Sequence, residues 1–297
     1  MKRVLITGAN GLLGQKLITA LIEDYELLAT ARAEKPVLQS PTFQYRPLNI
    51  EKYRECKAVI EDFQPDVIIN AAAFTNVDAC EVEKEACWRA NVKGVENLVH
   101  ASRNRMIQLI HISTDYIFDG KNGPYREDDR PNPPCYYGKA KLASENVIKA
   151  SGIPFTIVRT SVVYGVGVDV KSNFFLWVYQ NLKQGKPIRV VTDQYNTPTL
   201  VDDLAEGIHL ILNRPFLGVI HISGADFVHR YQMAVQIAET FGFDPSLITP
   251  ITTDQLQQQA PRPFKAGLKI DKAIQELGFH PKTLKESLVY LKTTLSK

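Results

Sequence analysis

Short apolar runs alternate with longer amphipathic stretches along the first two thirds of the chain. Runs such as Val67-Ile68-Ile69 are continuously apolar, which is typical of strands buried on both faces of a sheet. Parallel strands must be joined by crossovers, and the amphipathic stretches have the length of crossover helices. The alternation therefore predicts an α/β fold with a doubly wound, mostly parallel sheet of the Rossmann type.

The positions of the expected elements follow from this alternation. Strands are expected at Val4–Thr7, Glu26–Thr30, Phe43–Pro47, Asp66–Asn70, Gln108–Ser113, Phe155–Arg159 and Gly218–Ile222. Helices are expected at Leu12–Glu23, Glu51–Phe63, Lys84–Ser102, Tyr137–Ala150 and Val201–Leu212. Beyond about residue 165 the pattern loosens, and further helices are expected at Asn173–Lys183, His229–Phe241, Asp271–Leu277 and Thr283–Leu295.

A glycine-rich turn, Thr7–Gly14, joins the first strand to the first helix. Its glycines have the spacing G-x-x-G-x-x-G, one residue wider than the G-x-G-x-x-G fingerprint of dinucleotide sites. Such a turn lets the backbone approach a pyrophosphate, and the N-terminus of the helix favours the anion. An ordinary tight turn is the alternative. The turn predicts a dinucleotide site whose contacts are Gly8, Asn10, Gly11, Leu12, Leu13 and Gly14.

The end of the second strand indicates which dinucleotide is bound. NAD-selective sites usually carry an Asp or Glu there, which holds the 2′-hydroxyl of the ribose. This chain has Leu28-Ala29-Thr30-Ala31-Arg32 instead, and Arg32 is suited to a 2′-phosphate. A solvated surface arginine is the alternative. NADP, as NADPH, is the expected cofactor.

Two domains are expected from the change of pattern near residue 165. The dinucleotide-binding domain is predicted in residues 1–165, with a return segment at 199–223 that regains the helix–strand character. A second, smaller α/β domain for the substrate is predicted in residues 166–198 and 224–297.

A tyrosine with a lysine four residues later places both side chains on one helix face. The chain contains three such pairs: Tyr53/Lys57, Tyr137/Lys141 and Tyr179/Lys183. Tyr137/Lys141 alone lies in the crossover after the strand that ends in Ser113-Thr114-Asp115. Ligands of open α/β sheets bind outside the carboxyl ends of the strands, so this pair is the candidate for chemistry. The other two are interpreted as solvated helix faces.

With these motifs the chain resembles the extended short-chain dehydrogenase/reductase family, and within it the dTDP-4-dehydrorhamnose reductase branch. The resemblance covers nearly the whole length. It rests on Thr7–Gly14, Asn70–Thr75 with Val77-Asp78, Ser113–Gly120, Tyr137–Lys141, Arg159–Ser161, Asp193–Tyr195 with Pro198-Thr199, and Arg262-Pro263.

The resemblance implies roles for three residues of the candidate site. Tyr137 would be the general acid, Lys141 its electrostatic partner and a holder of the nicotinamide ribose, and Thr114 the hydroxyl that polarises the carbonyl. A free phenol titrates near about 10, and a cation within about 4–6 Å is expected to lower that pKa by about 1–3 units.

The same resemblance implies further contacts. Asn49 and Ile50 would contact the adenine, while Ala71, Ala72 and Ala73 would line the dinucleotide. The alternatives are a helix cap and close packing. Substrate contacts are expected from Thr75, Asp115, Val162, Gln194 and Arg262. Asp115 as a turn residue is the alternative there.

Two positions depart from the branch that the chain resembles. Val162 stands where rhamnose-pathway reductases carry a Trp against the sugar, which puts the exact sugar in doubt. Gln15 stands where some relatives use a Glu to bind magnesium at a dimer contact, so no metal is expected.

The resemblance, together with the residues that carry it, implies NADPH-dependent reduction of the 4-keto group of a nucleotide-activated 6-deoxy sugar, with dTDP-4-dehydro-L-rhamnose as the leading substrate. Two alternatives stay open. One is another nucleotide-sugar enzyme of the family, an epimerase or a dehydratase. The other is a non-catalytic regulatory subunit that binds NADP, against which the complete set of Thr114, Tyr137 and Lys141 argues.

Composition limits the partners and the compartment. The chain carries 35 basic and 32 acidic residues, a formal net charge of +3, without a dense basic run that would indicate nucleic-acid binding. The apolar stretch near Met1 is too short for a signal peptide, and no stretch approaches the length of a membrane span. The four cysteines lack CxxC spacing and are expected to be buried thiols. A cytoplasmic monomer or homodimer is expected.

Overall fold

The computed structural model describes residues 1–170 and 172–296. Numbered in chain order, the strands are β1 (Arg3–Thr7), β2 (Glu26–Ala31), β3 (Gln44–Pro47), β4 (Val67–Asn70), β5 (Gln108–Thr114), β6 (Phe155–Thr160), β7 (Val163–Tyr164), β8 (Ile188–Val191), β9 (Tyr195–Asn196), β10 (Thr199–Leu200), β11 (Gly218–His221), β12 (Val228–His229) and β13 (Ile248–Ile251).

The α-helices are α1 (Leu12–Leu21), α2 (Tyr53–Phe63), α3 (Val77–Val82), α4 (Lys84–Trp88), α5 (Gly94–Ser102), α6 (Tyr136–Lys149), α7 (Phe174–Lys183), α8 (Val201–Asn213), α9 (Arg230–Phe241), α10 (Asp271–Leu277) and α11 (Leu284–Leu295). Within the described residues, these helices are all too short or too polar to cross a membrane.

Seven parallel strands form the main sheet in the order β11-β6-β5-β4-β1-β2-β3. Strand β1 pairs with β2 on one side and with β4 on the other, so the strand order reverses beside it. Ligands of open α/β sheets bind at such a reversal, outside the carboxyl ends of the strands. The predicted doubly wound Rossmann sheet is confirmed.

Both faces of the sheet are covered by helices, as continuous apolar strands require. Successive residues of a strand point to opposite faces, so β1 contributes to two apolar cores. Val4 and Ile6 pack with residues of α1 and α8 in one core, among them Leu17 and Leu204. Leu5 packs on the other face with α2 and α5.

The stretch predicted as one helix, Lys84–Ser102, is interrupted in its middle. A π-helical turn, Arg89–Lys93, separates α4 from α5. Within this turn, the Asn91 side chain donates to Phe74 O at 3.0 Å and accepts from Phe74 N at 2.9 Å. The wider turn therefore ties the loop after β4 to the helix, which a plain helical period does not reveal.

A third apolar core lies beyond the sheet and joins α7, α9 and α11. Three two-stranded sheets lie in the same part of the chain: β7 pairs with β10, β9 with β12 and β8 with β13. In the predicted return segment, β11 joins the edge of the main sheet beside β6. Within the segment 224–297, Ala273 and Leu277 of α10 pack into the main-sheet core with Phe279.

A buried ion pair ties α6 to the sheet. Arg159 of β6 donates to both carboxylate oxygens of Glu145 on α6, at 3.0 Å and 2.8 Å. Ser113 of β5 donates to the same carboxylate at 2.6 Å. Burial by itself would raise the pKa of Glu145, but the contacts with Arg159 and Ser113 outweigh it and hold this pKa below its usual value. These contacts fix the helix that carries Tyr137 and Lys141.

Substitution Glu145→Gln should therefore destabilise the fold. It leaves the Arg159 guanidinium in the interior without a charged partner, and breaking a buried pair in this way typically costs about 3–5 kcal/mol. Urea unfolding should show a loss of that size. Glu85→Gln breaks an exposed pair with Arg89 and is the matched control, with little change expected. An equally small effect of Glu145→Gln would show that the pair does not anchor α6.

Candidate active site

A cavity of about 650 Å³ opens at the carboxyl edge of the main sheet, within the size range of cofactor sites. Nine residues that line this cavity are among those predicted to contact a dinucleotide: Gly8, Asn10, Gly11, Arg32, Asn49, Ile50, Ala71, Ala72 and Ala73. Its other lining residues are Ala31, Ala33, Leu48, Glu51, Phe74, Glu83, Ala86, Arg89 and Ala90.

The glycine turn packs directly against the loop that follows β4. Gly8 has a φ of +71°, and a Cβ at this position would lie 2.7 Å from the Ala72 nitrogen. A Cβ at Gly14 would collide with the backbone oxygen of Gly8. Gly14 thus acts by close packing inside the turn, while Gly8 brings backbone to the cavity wall.

The start of α1 leaves backbone donors for an anion. Gly11 is the N-cap of this helix, and a glycine has no side chain with which to cap the first N–H groups. The free N–H groups of a first turn, here those of Leu12 and Leu13, attract anions together with the helix dipole. The Asn10 side chain is used differently, since it bonds to Lys35 O at 3.1 Å and to the Val37 N–H at 3.0 Å.

Charged residues stand at the rim of the cavity. Arg32 directly follows β2 and is exposed, in the position that the sequence predicts for a contact with a 2′-phosphate. Arg89 of the π-turn pairs with Glu51, with Nε 3.3 Å from Oε2. Sequence reasoning missed the Arg89–Glu51 pair, because a π-turn inside a helical pattern leaves no signature in the periodicity.

Thr114 and Tyr137 come together from β5 and α6. The Thr114 hydroxyl donates to Asp115 Oδ1 at 3.1 Å and accepts from the Tyr116 N–H at 3.2 Å. The Tyr137 ring packs edge-on against the Tyr116 ring, with centroids 5.8 Å apart. Burial raises the pKa of Tyr137 far above its ordinary value, and the Thr114 hydroxyl only partly offsets this. The phenol therefore stays protonated at neutral pH.

Lys141 lies one helical turn after Tyr137 and is buried, with an exposed fraction of 2%. Its ammonium donates to Ile112 O at 2.7 Å and lies 3.0 Å from His111 Nε2. Burial lowers the pKa of Lys141 from 10.5 to about 8, against the attraction of Glu145. The expected lowering of the phenol pKa by this cation is wrong for the protein as it stands, because burial dominates at Tyr137.

Asp115 is buried directly beside Thr114, with an exposed fraction of 1%. Its Oδ2 accepts from the Ser161 hydroxyl at 2.7 Å, and its Oδ1 from Thr114. Burial raises the pKa of Asp115 to about 6 although these hydrogen bonds oppose the shift. Both oxygens are already engaged, and Asp115 orients the Thr114 hydroxyl.

Two further predicted substrate residues come from distant parts of the chain. Gln194 is buried and donates to Thr253 Oγ1 at 3.1 Å and to Gln258 Oε1 at 3.2 Å. Arg262 donates to Asp78 Oδ2 at 2.7 Å, which joins the C-terminal segment to α3. Both side chains are therefore held in place by hydrogen bonds to other polar side chains.

Thr75 and Val162, both predicted to contact the substrate, lie on loops. Thr75 is exposed between β4 and α3. Val162 follows β6 with a φ of +43°, a left-handed conformation that is strained for a β-branched residue. Position 162 thus combines a side chain smaller than an aromatic one with a left-handed backbone conformation.

Arg230 is a charged residue of the site that sequence reasoning missed. It begins α9, and its Cζ lies 4.8 Å from the centroid of the Phe174 ring. Burial lowers the pKa of Arg230, whereas Tyr116 and Asp115 favour its charge. Burial raises the pKa of Tyr116 to about 12, and Arg262 and Arg230 both oppose that rise. The guanidinium groups of Arg230 and Arg262 therefore both place positive charge near Tyr116.

Gln15 is buried at the junction of α1 and the loop that leads from β7 to α7. Its Nε2 donates to Val168 O at 2.9 Å and its Oε1 accepts from Val168 N at 2.9 Å. The same amide donates to Asn10 O at 3.1 Å. The Gln15 amide thus holds the loop at Val168 onto the glycine turn.

Comparison with known proteins identifies relatives along the whole chain. The family model described as the RmlD substrate binding domain matches residues 1–296. The spore coat polysaccharide biosynthesis protein SpsK of Bacillus subtilis (strain 168) is 35% identical, over 97% of this chain and 96% of that protein. The dTDP-4-dehydrorhamnose reductase of Aggregatibacter actinomycetemcomitans is 32% identical, over 97% of each. Methionine adenosyltransferase 2 subunit beta of Xenopus tropicalis is 31% identical, over 95% of this chain and 84% of that protein.

Solved structures share the fold. The dTDP-4-dehydrorhamnose reductase of Clostridium acetobutylicum has a TM-score of 0.86 at 30% identity, covering 99% of this chain and 100% of that one. The dTDP-4-dehydrorhamnose reductase of Bacillus anthracis in complex with NADP has a TM-score of 0.85 at 29% identity, with the same coverage.

Substitution Gly8→Ala should damage the cavity. The new Cβ would push against the Ala72 backbone and also occupy a left-handed conformation, so we expect loss of dinucleotide binding and a lower unfolding temperature. Gly152→Ala is the matched control, because Gly152 has a φ of +75° but nothing within 4 Å of its Cβ position. The control isolates the cost of the backbone conformation, about 1 kcal/mol. Equal behaviour of the two variants in calorimetry and binding titration would contradict the close-approach argument.

Proposed function

This chain belongs to the RmlD substrate binding domain family of extended short-chain dehydrogenases/reductases, and on that premise we propose that it reduces the 4-keto group of a nucleotide-activated 6-deoxy sugar with NADPH. The observation that carries the proposal is the grouping of Thr114, Tyr137 and Lys141 at the carboxyl edge of the sheet, one strand away from the cavity wall. The leading substrate is dTDP-4-dehydro-L-rhamnose, which would become dTDP-L-rhamnose.

The residues of the site divide the work of such a reduction. NADPH, when bound, supplies the hydride. Tyr137 keeps its proton at neutral pH because burial raises its pKa, so it can give that proton to the sugar oxygen as negative charge develops there. The Thr114 hydroxyl gives its single proton to Asp115 Oδ1, and on substrate binding it would turn to donate that proton as a second hydrogen bond to the same sugar oxygen. The Lys141 ammonium has three N–H donors, of which two are used on His111 and Ile112, and the third can hold the ribose.

The cavity fits NADPH in its shape and in its charge. The bare backbone of Gly8 and the open N-terminus of α1 suit a pyrophosphate. The residues that end β2 offer no carboxylate that would select a free ribose 2′-hydroxyl, and Arg32 supplies positive charge at the rim. The NADP complex of the related Bacillus anthracis reductase supports this choice.

A nucleotide sugar fits the positive charge on the substrate side. Arg262 and Arg230 lie close enough to Tyr116 to influence its pKa, and guanidinium groups suit the diphosphate that links nucleotide and sugar. Asp115 and Gln194 offer polar atoms for sugar hydroxyls. Val162 leaves more room than a Trp would, so a differently substituted 6-deoxy sugar is the variation that the proposal allows.

One alternative has support from a specific relative. The chain is similar to methionine adenosyltransferase 2 subunit beta, a protein named as a subunit of another enzyme, and this similarity supports the alternative of a non-catalytic regulatory subunit. The complete set of Thr114, Tyr137 and Lys141 favours the enzyme, because a pure binding protein needs no proton donor.

The four buried free cysteines support a cytoplasmic location, and the chain is proposed to act there as a monomer or homodimer.

Binding of the two cofactor forms tests the assignment of Arg32. NADPH should bind more tightly than NADH, and Arg32→Ala should remove most of this preference because it removes a partner of the 2′-phosphate. Fluorescence titration with both cofactors measures it. Arg214→Ala, an exposed arginine after α8 at the other edge of the sheet, is the control and should leave both affinities unchanged. A preference retained in Arg32→Ala would show that another group reads the phosphate.

Turnover tests the proposed function and its acid together. The protein should oxidise NADPH, followed by absorbance, with dTDP-4-dehydro-L-rhamnose made in situ, and more slowly with UDP- or GDP-linked keto sugars. Tyr137→Phe should lower turnover about 10²–10⁴-fold while NADPH still binds, since it removes only the proton donor. Tyr53→Phe, from an exposed Tyr/Lys pair, is the control and should keep full activity.

Three outcomes would revise the proposal. Preference for a UDP or GDP sugar would keep the reductase and discard the rhamnose assignment. NADPH binding without oxidation by any keto sugar would favour the regulatory subunit. Near-normal turnover by Tyr137→Phe would make this tyrosine a structural residue.

A further inference from the structure

A row of buried polar side chains crosses the centre of the main sheet. Thr7, Asn70 and His111 occupy paired positions on the neighbouring strands β1, β4 and β5. The Thr7 hydroxyl lies 2.6 Å from Asn70 Oδ1, and Asn70 Nδ2 lies 3.0 Å from His111 Nδ1. The other nitrogen of the same imidazole, Nε2, lies 3.0 Å from the Lys141 ammonium. The row thus connects the glycine turn to the candidate active site.

The protonation of His111 follows from its surroundings. Burial and the Lys141 charge lower the pKa of His111 well below its usual value, so the ring is neutral and carries one N–H. A lysine ammonium can only donate, and therefore Nε2 must accept while Lys141 is charged. The ring proton then resides on Nδ1, facing Asn70. Ser144, 3.1 Å from Nε2, has its own acceptor in Lys141 O at 2.7 Å.

The orientation of Asn70 is linked to this protonation. A proton on His111 Nδ1 needs an acceptor, which is the amide oxygen of Asn70, and the amide nitrogen then faces the Thr7 hydroxyl. Oxygen and nitrogen of an amide exchange by a half turn, so the row can be satisfied in either direction. In one of these orientations, Asn70 Oδ1 accepts from the Thr7 hydroxyl and Asn70 Nδ2 donates to His111 Nδ1. The ring proton of His111 then resides on Nε2, which requires that Lys141 be uncharged so that its nitrogen can accept.

We propose that His111 is a positioning residue that holds the Lys141 ammonium by accepting its hydrogen bond, and that Thr7, Asn70 and His111 reverse their hydrogen-bond direction when Lys141 loses its charge. Thr7 directly precedes Gly8 and accepts from the Ala72 N–H at 3.4 Å. The charge of Lys141 is thereby coupled to the turn and to the loop that form the dinucleotide cavity. Each member has an exposed fraction of 2% or less, so water does not compete for these bonds.

Other charged or titratable groups near Lys141 leave His111 as its neutral acceptor. Glu145 follows on the same helix and attracts the ammonium, but its carboxylate is engaged by Arg159 and Ser113. Cys87 of α4 faces it from the next helix, and Tyr137 precedes it by one turn. Among the described residues, the hydrogen-bond partners of the ammonium are His111 Nε2 and Ile112 O.

Two substitutions at position 111 separate positioning from packing. Asn, in His111→Asn, reaches only as far as Nδ1 and keeps a partner for Asn70, but loses the contact with Lys141. Gln, in His111→Gln, extends to the position of Nε2 and can still accept from Lys141. The loss of kcat at alkaline pH, expected near pH 8 as Lys141 is deprotonated, should move about one pH unit lower in His111→Asn. It should stay near the wild-type position in His111→Gln.

A purely structural histidine would give a different pattern. Both variants would then lose thermal stability, while the pH profile of kcat would stay at its wild-type position, and that result would overturn the proposal. The size of KM for the sugar is the internal control, because the row does not contact the substrate side and KM should change little.

Nitrogen NMR of the wild-type protein tests the proposal without substrate, which matters because the kinetic test rests on the proposed reductase activity. The ¹⁵N-labelled His111 ring, assigned with His111→Gln, should carry its proton on Nδ1 at pH 6 and shift toward the Nε2–H form above pH 9. A proton on Nε2 at pH 6, where Lys141 is charged, would overturn the proposal even if the reductase activity were demonstrated. The expected tautomers with no turnover would instead uphold the row and refute the reductase.

Discussion

Hydrogen bonding between buried polar side chains is the constraint on which the site depends. A parallel sheet covered on both faces excludes water, so a polar side chain in its middle must find a partner on a neighbouring strand. The register brings Thr7, Asn70 and His111 side by side, and Lys141 completes the row from α6. The candidate chemistry thus sits at the end of a row that holds three strands and one helix in fixed relation.

One wall of the cavity is formed by backbone segments that approach each other unusually closely. Gly8 lies against the Ala71–Ala73 loop, and the π-turn at Arg89–Lys93 holds that loop through Asn91. The loop is clamped between a turn that tolerates no Cβ and an amide that bonds both its N–H and its C=O. Such a wall is rigid, which suits a site that must align a dinucleotide with a substrate.

Burial gives each titratable group of the site its role. It raises the pKa of Tyr137 and keeps a proton on the phenol, whereas it lowers the pKa of Lys141 to about 8. Arg230 and Arg262 add positive charge on the substrate side. The site thus offers a protonated phenol, a lysine with a lowered pKa and two guanidinium groups. These groups suit the reduction of an anionic nucleotide sugar.

The sequence alone determined the sheet, the glycine turn and the Tyr137/Lys141 pair after the strand that ends beside Thr114, because apolar periodicity and local spacing carry that information. The role of Thr114 was implied only by the resemblance to the reductase family. The sequence did not reveal the π-turn, the packing of α10 on the main sheet or the approach of Arg230, which depend on contacts between segments far apart in the chain. The direction of the Tyr137 pKa was also decided by the tertiary structure. A neighbouring lysine is visible in the sequence, but the degree of burial that outweighs it exists only once the chain is folded.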